Sequence, residues 1–240
     1  MKIVSITASY QRPEITIDTL NLFKNQKYLV KSILVGSSLA EQKAAEQVDA
    51  VYVNHANHPL GSKWQAGVDK ARELNPDAIL ICGSDDWLTS NWCEVCSKEI
   101  EKGFDLVGKT RWCLCDVHPG KSLQLFRIHY KVKKRKDPIG SGRLISRKVL
   151  DKLNWELFPK NKDKYLDWES WTRIKKAGGT LKLLDNREDI WAMCIKSTWK
   201  SKSNWITSKK NSQCIWGEVA NPKEWIGHHY PGAPIDKYLK

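Results

Sequence analysis

The sequence predicts an α/β fold, a mostly parallel sheet flanked by helices, and two observations carry that prediction. Through the first 110 or so residues, short apolar runs alternate with amphipathic stretches, the pattern of parallel strands joined by crossover helices. One of those runs, Ala78 to Cys82, is apolar without a break, as a central strand covered on both faces must be. The 240 residues suit a single domain with a regular half, residues 1–115, and an irregular basic half, residues 116–240.

Taken in order, Lys2 to Ala8 is expected as the first strand. Pro13 to Asn25 follows as a helix opened by proline at its first turn. Val30 to Val35 is a second strand, Ser38 to Val48 a short helix, and Ala50 to Asn54 a third strand. Gly61 introduces a helix from Ser62 to Leu74, which Asn75-Pro76 breaks before the strand at Ala78. A helix starts near Ser90. Leu106 to Cys115 and Leu123 to Val132 read as strands, and Arg143 to Leu153 begins extended and turns helical. Asp167 to Ala177 is a helix ended by Gly178-Gly179, and Thr180 to Leu184 is a short strand. The last 45 or so residues carry no assignable pattern.

Composition excludes several classes. No run of about 18 apolar residues exists, which excludes a spanning helix, and the apolar start is too short for a signal peptide. A cytoplasmic protein is the expectation, and seven cysteines at irregular spacing fit it better than a disulfide framework. Cys93 with Cys96 and Cys113 with Cys115 raise a four-thiolate zinc site, but buried small apolar side chains are the favoured account. The charge is uneven. Residues 1–120 hold 13 Lys and Arg against 15 Asp and Glu, and residues 121–240 hold 27 against 12, so the net +13 lies wholly in the second half. That asymmetry points to a polyanionic partner on one side.

The chemistry concentrates at Ala78 to Trp87, where a buried strand delivers Asp85 and Asp86 at its C-terminal end, the ligand edge of an open α/β sheet. Two adjacent carboxylates there call for an offsetting cation, and Mg²⁺ or Mn²⁺ bridging a diphosphate supplies one. The plain alternative is an aspartate capping the next helix.

Three segments give this motif a context. Thr7-Ala8-Ser9-Tyr10-Gln11-Arg12-Pro13 resembles the opening strand and donor turn of family 2 glycosyltransferases, whose fold is GT-A, a Rossmann-like sheet. His58 to Gly67, with Gly61 and Lys63, looks like that family's turn and helix approaching the nucleoside, and Ser84-Asp85-Asp86 resembles its Asp-x-Asp region. The resemblance implies a nucleotide-sugar site, a UDP-sugar donor and a divalent metal. Thr7, Ala8, Tyr10, Arg12, Gly61, Lys63, Ser84 and Asp86 would contact the donor. Because Gly83 or Ser84 stands where the motif's first carboxylate belongs, Asp85 becomes the metal ligand.

In the second half, Gly140 to Arg147 followed by Leu166-Asp167-Trp168-Glu169 is similar to the acceptor side of small viral and bacterial members of the superfamily. The resemblance implies a general base at a helix start. Asp167 and Glu169 are the candidates, with Asp167 preferred; the plain alternative is an N-capping Asp167 with a first-turn Glu169, both favoured by the helix dipole. Arg143 and Arg147 are candidate phosphate contacts, and His228-His229 a candidate metal pair or a surface pair. Two basic segments, Lys131 to Lys136 with Lys133, Lys134 and Arg135, and Lys196 to Lys210 with Trp199 and Trp205, combine phosphate-neutralising and stacking groups. A 5-hydroxymethylated pyrimidine in DNA is the favoured acceptor. A glycan, a capsid or surface protein, or a non-enzymatic nucleic-acid-binding role on a degenerate scaffold are the alternatives.

Overall fold

The structure is a computed structural model and describes residues 1–117, 122–130, 137–196 and 214–239. Lys133, Lys134, Arg135, Trp199 and Trp205 therefore lie outside the described residues. The first half runs β1 (Ile3–Ala8), α1 (Pro13–Phe23), β2 (Leu29–Gly36), α2 (Leu39–Gln47), β3 (Val51–Asn54), α3 (Leu60–Glu73) and β4 (Ala78–Ile81). Then come β5 (Asp86–Leu88), α4 (Trp92–Glu101), β6 (Leu106–Gly108), β7 (Arg111–Asp116) and β8 (Gln124–Tyr130). The remainder is β9 (Arg143–Ser146), α5 (Arg147–Lys152), α6 (Leu166–Lys176), β10 (Leu181–Leu183), β11 (Ala192–Lys196), β12 (Cys214–Glu218) and α7 (Pro222–His229).

Seven strands form the main sheet in the order β10-β6-β9-β4-β1-β2-β3, parallel except for β9, which runs antiparallel to β4 and β6. The side-chain alternation of strands explains the unbroken apolar run at Ala78. Ala78 and Leu80 point into one core, and Ile79 and Ile81 into the other. Ile3 and Leu34 join the first core, while Val4, Ile6, Ile33 and Val35 join the second. Each large side chain buried in this way contributes about 1.5–3 kcal/mol.

A second sheet, β12-β8-β7-β11-β5, packs beside the first and covers a third core around Trp87, Trp191 and Tyr230. It arises because the single strand expected over Leu106 to Cys115 is two. The chain leaves the main sheet after Gly108 and re-forms as β7, with Lys109 at the corner. Lys109 is buried, and its Nζ donates to Ile190 O at 2.8 Å and to Arg187 O and lies 4.3 Å from the Trp191 ring centre. These contacts anchor the loop that leads into β11. None of the described helices is long and apolar enough to cross a membrane.

At the start of α3, Gly61 N donates to Lys162 O at 2.7 Å, and a Cβ on Gly61 would sit 2.0 Å from Pro159 O. Only glycine permits that approach. Gly61→Ala should therefore destabilise the fold by roughly 1–3 kcal/mol through forced displacement of the loop, read as a lower urea midpoint. Burial pushes the Lys109 ammonium down to about 8 from 10.5. Between those values the unfolded chain holds a proton that the folded one has released. The protein should gain stability relative to a Lys109→Met variant as pH rises from about 8 toward 10.5, measured by denaturation across that range.

Candidate active site

The C-terminal ends of β1 and β4 meet at the edge where ligands bind in open α/β sheets. Two turns there are locked together by Glu41, which is buried and accepts from Gln11 N at 2.9 Å and Ser37 N at 2.7 Å. After β4, residues 82–85 turn into β5, whose Asp86 pairs with Cys194 of the antiparallel β11. Ile195 N donates to Asp85 O at 2.8 Å and closes the junction.

Asp85 is buried, and its Oδ2 accepts from Arg12 Nη1 at 2.7 Å and from Lys196 Nζ. Burial opposes its ionisation, but the Lys196 ammonium and the Arg12 guanidinium outweigh that and hold its carboxyl below the usual range. Asp86 is the reverse case. Among the described residues its carboxyl meets no cation directly; it accepts from Gly83 N at 2.9 Å and from the Cys194 thiol. Burial, reinforced by the neighbouring Asp85 carboxylate, pushes it upward. Adjacent in sequence, the two aspartates are electrostatically opposite.

A cavity of about 270 Å³ opens between the two sheets against this pair. Asp85, Asp86 and Lys196 line one wall, and Trp64 and Trp112 offer aromatic surfaces. Asp167 lines the cavity from the start of α6. Its carboxylate lies over Gly140, where a Cβ would fall 2.6 Å from Oδ1 and 2.7 Å from Oδ2. The helix cap is Tyr165, and no side-chain cap hydrogen bond forms, so Asp167 is a first-turn acid rather than a cap.

The other candidates divide. Tyr10 is exposed, its ring 5.9 Å from Lys63 Nζ, and it does not line the cavity. Lys63 itself is buried and donates to Ser9 O and, at 3.2 Å, to Asn57 Oδ1, tying the end of β1 to the turn before α3. Burial lowers its affinity for a proton. Ala8 is half-buried at the last position of β1. The buried hydroxyls of Thr7 and Ser84 have no hydrogen-bond partner among the described residues. Gly61 serves packing against the 159–162 loop, as described above.

Glu169 pairs with Lys162 and does not line the cavity. Arg147 sits at the start of α5, beside Asn75 and Asp77 at the opposite end of β4. Arg143 is buried rather than offered to a ligand. Its Nε donates to Ile139 O at 2.8 Å and its Nη1 to Asp167 O at 2.7 Å and Ser170 Oγ at 2.9 Å, with Nη2 on Pro138 O. It fixes the start of α6 against the segment carrying Gly140. At the end of α7, His229 packs against the Trp225 ring and meets His228 edge-on, and neither histidine lines the cavity.

The metal expected at Asp85 can be tested against the donors present. Two cations already share its Oδ2, and among the described residues no three His, Cys, Asp or Glu side chains gather as a metal site. This donor set does not fit a divalent ion. The four cysteines considered for zinc are buried in α4 and β7, and their thiols are pushed upward by burial, so they pack as apolar groups.

No protein-family model and no curated protein matches the sequence. Solved structures do. TarS 1–349 from S. aureus matches with a TM-score of 0.57 at 12% identity, over 81% of this chain and 60% of that one. A second S. aureus TarS structure gives 0.60 at 12% identity, covering 82% and 37%. TarS 1–349 in complex with UDP gives 0.55 at 13% identity, covering 82% and 61%. The likeness is one of fold. It is the Rossmann-like GT-A arrangement expected from the sequence, and the chain spans less than two thirds of the length of these neighbours.

Sequence reasoning missed Lys196 as a partner of Asp85, because it opens a basic run 111 residues away. The apolar Ala192 to Ile195 just before it was the available signal of a strand. Arg143→Met should cost roughly 2–4 kcal/mol by stranding buried carbonyls, and Arg143→Lys should recover only part, since one ammonium cannot span all the acceptors. Urea denaturation of the three proteins checks this.

Proposed function

We propose that the chain transfers a sugar from a nucleoside diphosphate-sugar, a UDP-sugar by preference, to a hydroxyl acceptor. The observation that carries this proposal is a cavity lined by Asp85 and Lys196, with Arg12 bound to the same Asp85 oxygen, and by the Asp167 carboxylate. The diphosphate would lie toward the cations, and the sugar would pack against the faces of Trp64 and Trp112. The shared fold with TarS, which has been crystallised with UDP, supports a uridine nucleotide.

In the transfer, the acceptor oxygen attacks the anomeric carbon while Asp167 takes its proton. The bond from that carbon to the β-phosphate oxygen breaks, and its electron pair leaves with the diphosphate. Attack opposite the leaving group inverts the anomeric centre. The metal role expected for Asp85 is not carried over, because its cations already offset the carboxylate.

For the acceptor we favour a 5-hydroxymethylated pyrimidine in DNA. The second half of the chain carries 27 Lys and Arg against 12 Asp and Glu, a charge suited to a phosphate backbone. Reaching the base hydroxyl calls for approach through the groove or extrusion of the base.

Radiolabelled sugar transfer to hydroxymethylated duplex, plain duplex and glycan tests both parts. Label is expected in hydroxymethylated DNA alone, and Asp167→Asn should lower the rate about 10²- to 10⁴-fold while leaving UDP affinity unchanged. Label entering only glycan would move the acceptor. DNA binding with no transfer from any nucleotide-sugar would leave a binding protein on this fold.

A further inference from the structure

We infer that Lys196 and Arg12 supply the countercharge for the donor diphosphate, so that nucleotide binding and sugar transfer proceed without a divalent ion. This rests on the nucleotide-sugar function proposed above. Both cations converge on one oxygen, Asp85 Oδ2, and Lys196 also lines the cavity. The Lys196 position is built by the backbone. Its carbonyl accepts from Val117 N at 2.8 Å, and its neighbour Ile195 donates to Asp85 O at 2.8 Å. Two strands therefore hold the ammonium at the carboxylate. The guanidinium comes from the other side, on the turn between β1 and α1.

The donors left over decide which ligand this cluster suits. An ammonium has three N–H donors and a guanidinium five, and Lys196 and Arg12 each place one on Asp85 Oδ2. A diphosphate held between the cavity's Lys196 and the partly exposed Arg12 can take charge-assisted hydrogen bonds from both while Asp85 keeps them in place. A divalent cation at the same point would meet two like charges and a carboxylate oxygen already taken. Lysine and arginine, fixed before the ligand arrives, would then stabilise the charge that develops on the departing diphosphate.

The test is UDP titration, followed by calorimetry, in EDTA and in Mn²⁺. The dissociation constant in EDTA is expected within about threefold of that in Mn²⁺. Lys196→Met should weaken UDP about tenfold or more, the loss of one charge-assisted bond, while Lys196→Arg stays within about threefold of the parent. Tightening by Mn²⁺ of about tenfold or more, or a folded Lys196→Met protein binding UDP as tightly as the parent, would overturn the inference. Should Lys196→Met fail to fold, the EDTA comparison on the parent and on Lys196→Arg decides. Absence of binding by UDP and other nucleoside diphosphates in both conditions would instead remove the nucleotide-sugar function, and this inference with it.

Discussion

A buried carboxylate holds the active face together. Taking Asp85 out of water costs several kcal/mol unless other groups compensate, and the compensation comes from Arg12 and Lys196, 73 and 111 residues away. Those two pairs clamp the turn after β1 and the end of β11 onto the end of β4. The backbone bond from Ile195 N to Asp85 O adds a neutral tie at the same place. The second sheet is thereby registered against the first, and the cavity between them takes its shape from that registration. Removing either cation would leave the carboxylate undercompensated as well as loosening the junction.

The opposite wall follows the same logic with a cation and neutral acceptors. Arg143 spends its guanidinium on Ile139, Pro138 and Asp167 carbonyls and on Ser170. The residue before it, Gly142, lies at φ +77°, and Gly140 leaves room for the Asp167 carboxylate. An exposed acid at a helix start is ordinarily mobile. Here its backbone carbonyl is held by Arg143 and its side chain rests on Gly140, so the carboxylate is aimed into the cavity.

What was legible in the sequence follows from where the information sits. β1 to β4 and their helices repeat a local apolar period, so the regular half could be read to within a few residues. β5 and β11 are three and five residues long, and among the described residues β5 pairs only with β11 while β11 also pairs with β7; no local pattern encodes those partners. The same division applies to the site. Asp85 and Asp86 stood out as neighbours at a strand end, but their opposite electrostatics depend on partners from elsewhere in the chain. Lys63 and Arg143 have the residue types of ligand contacts and yet are consumed by backbone carbonyls. A residue type announces what a group can bind, and burial determines what is left for it to bind.

Lys196 shows how the two halves join. The positive excess looked like a surface property of the second half, intended for a polyanion outside the protein. One of its members is instead largely withdrawn from solvent and paired with Asp85 at the cavity. The basic run of Lys200, Lys202, Lys209 and Lys210 continues from that residue in sequence. By connectivity alone, the chain that would meet an acceptor's phosphates begins at the group that would hold the donor's.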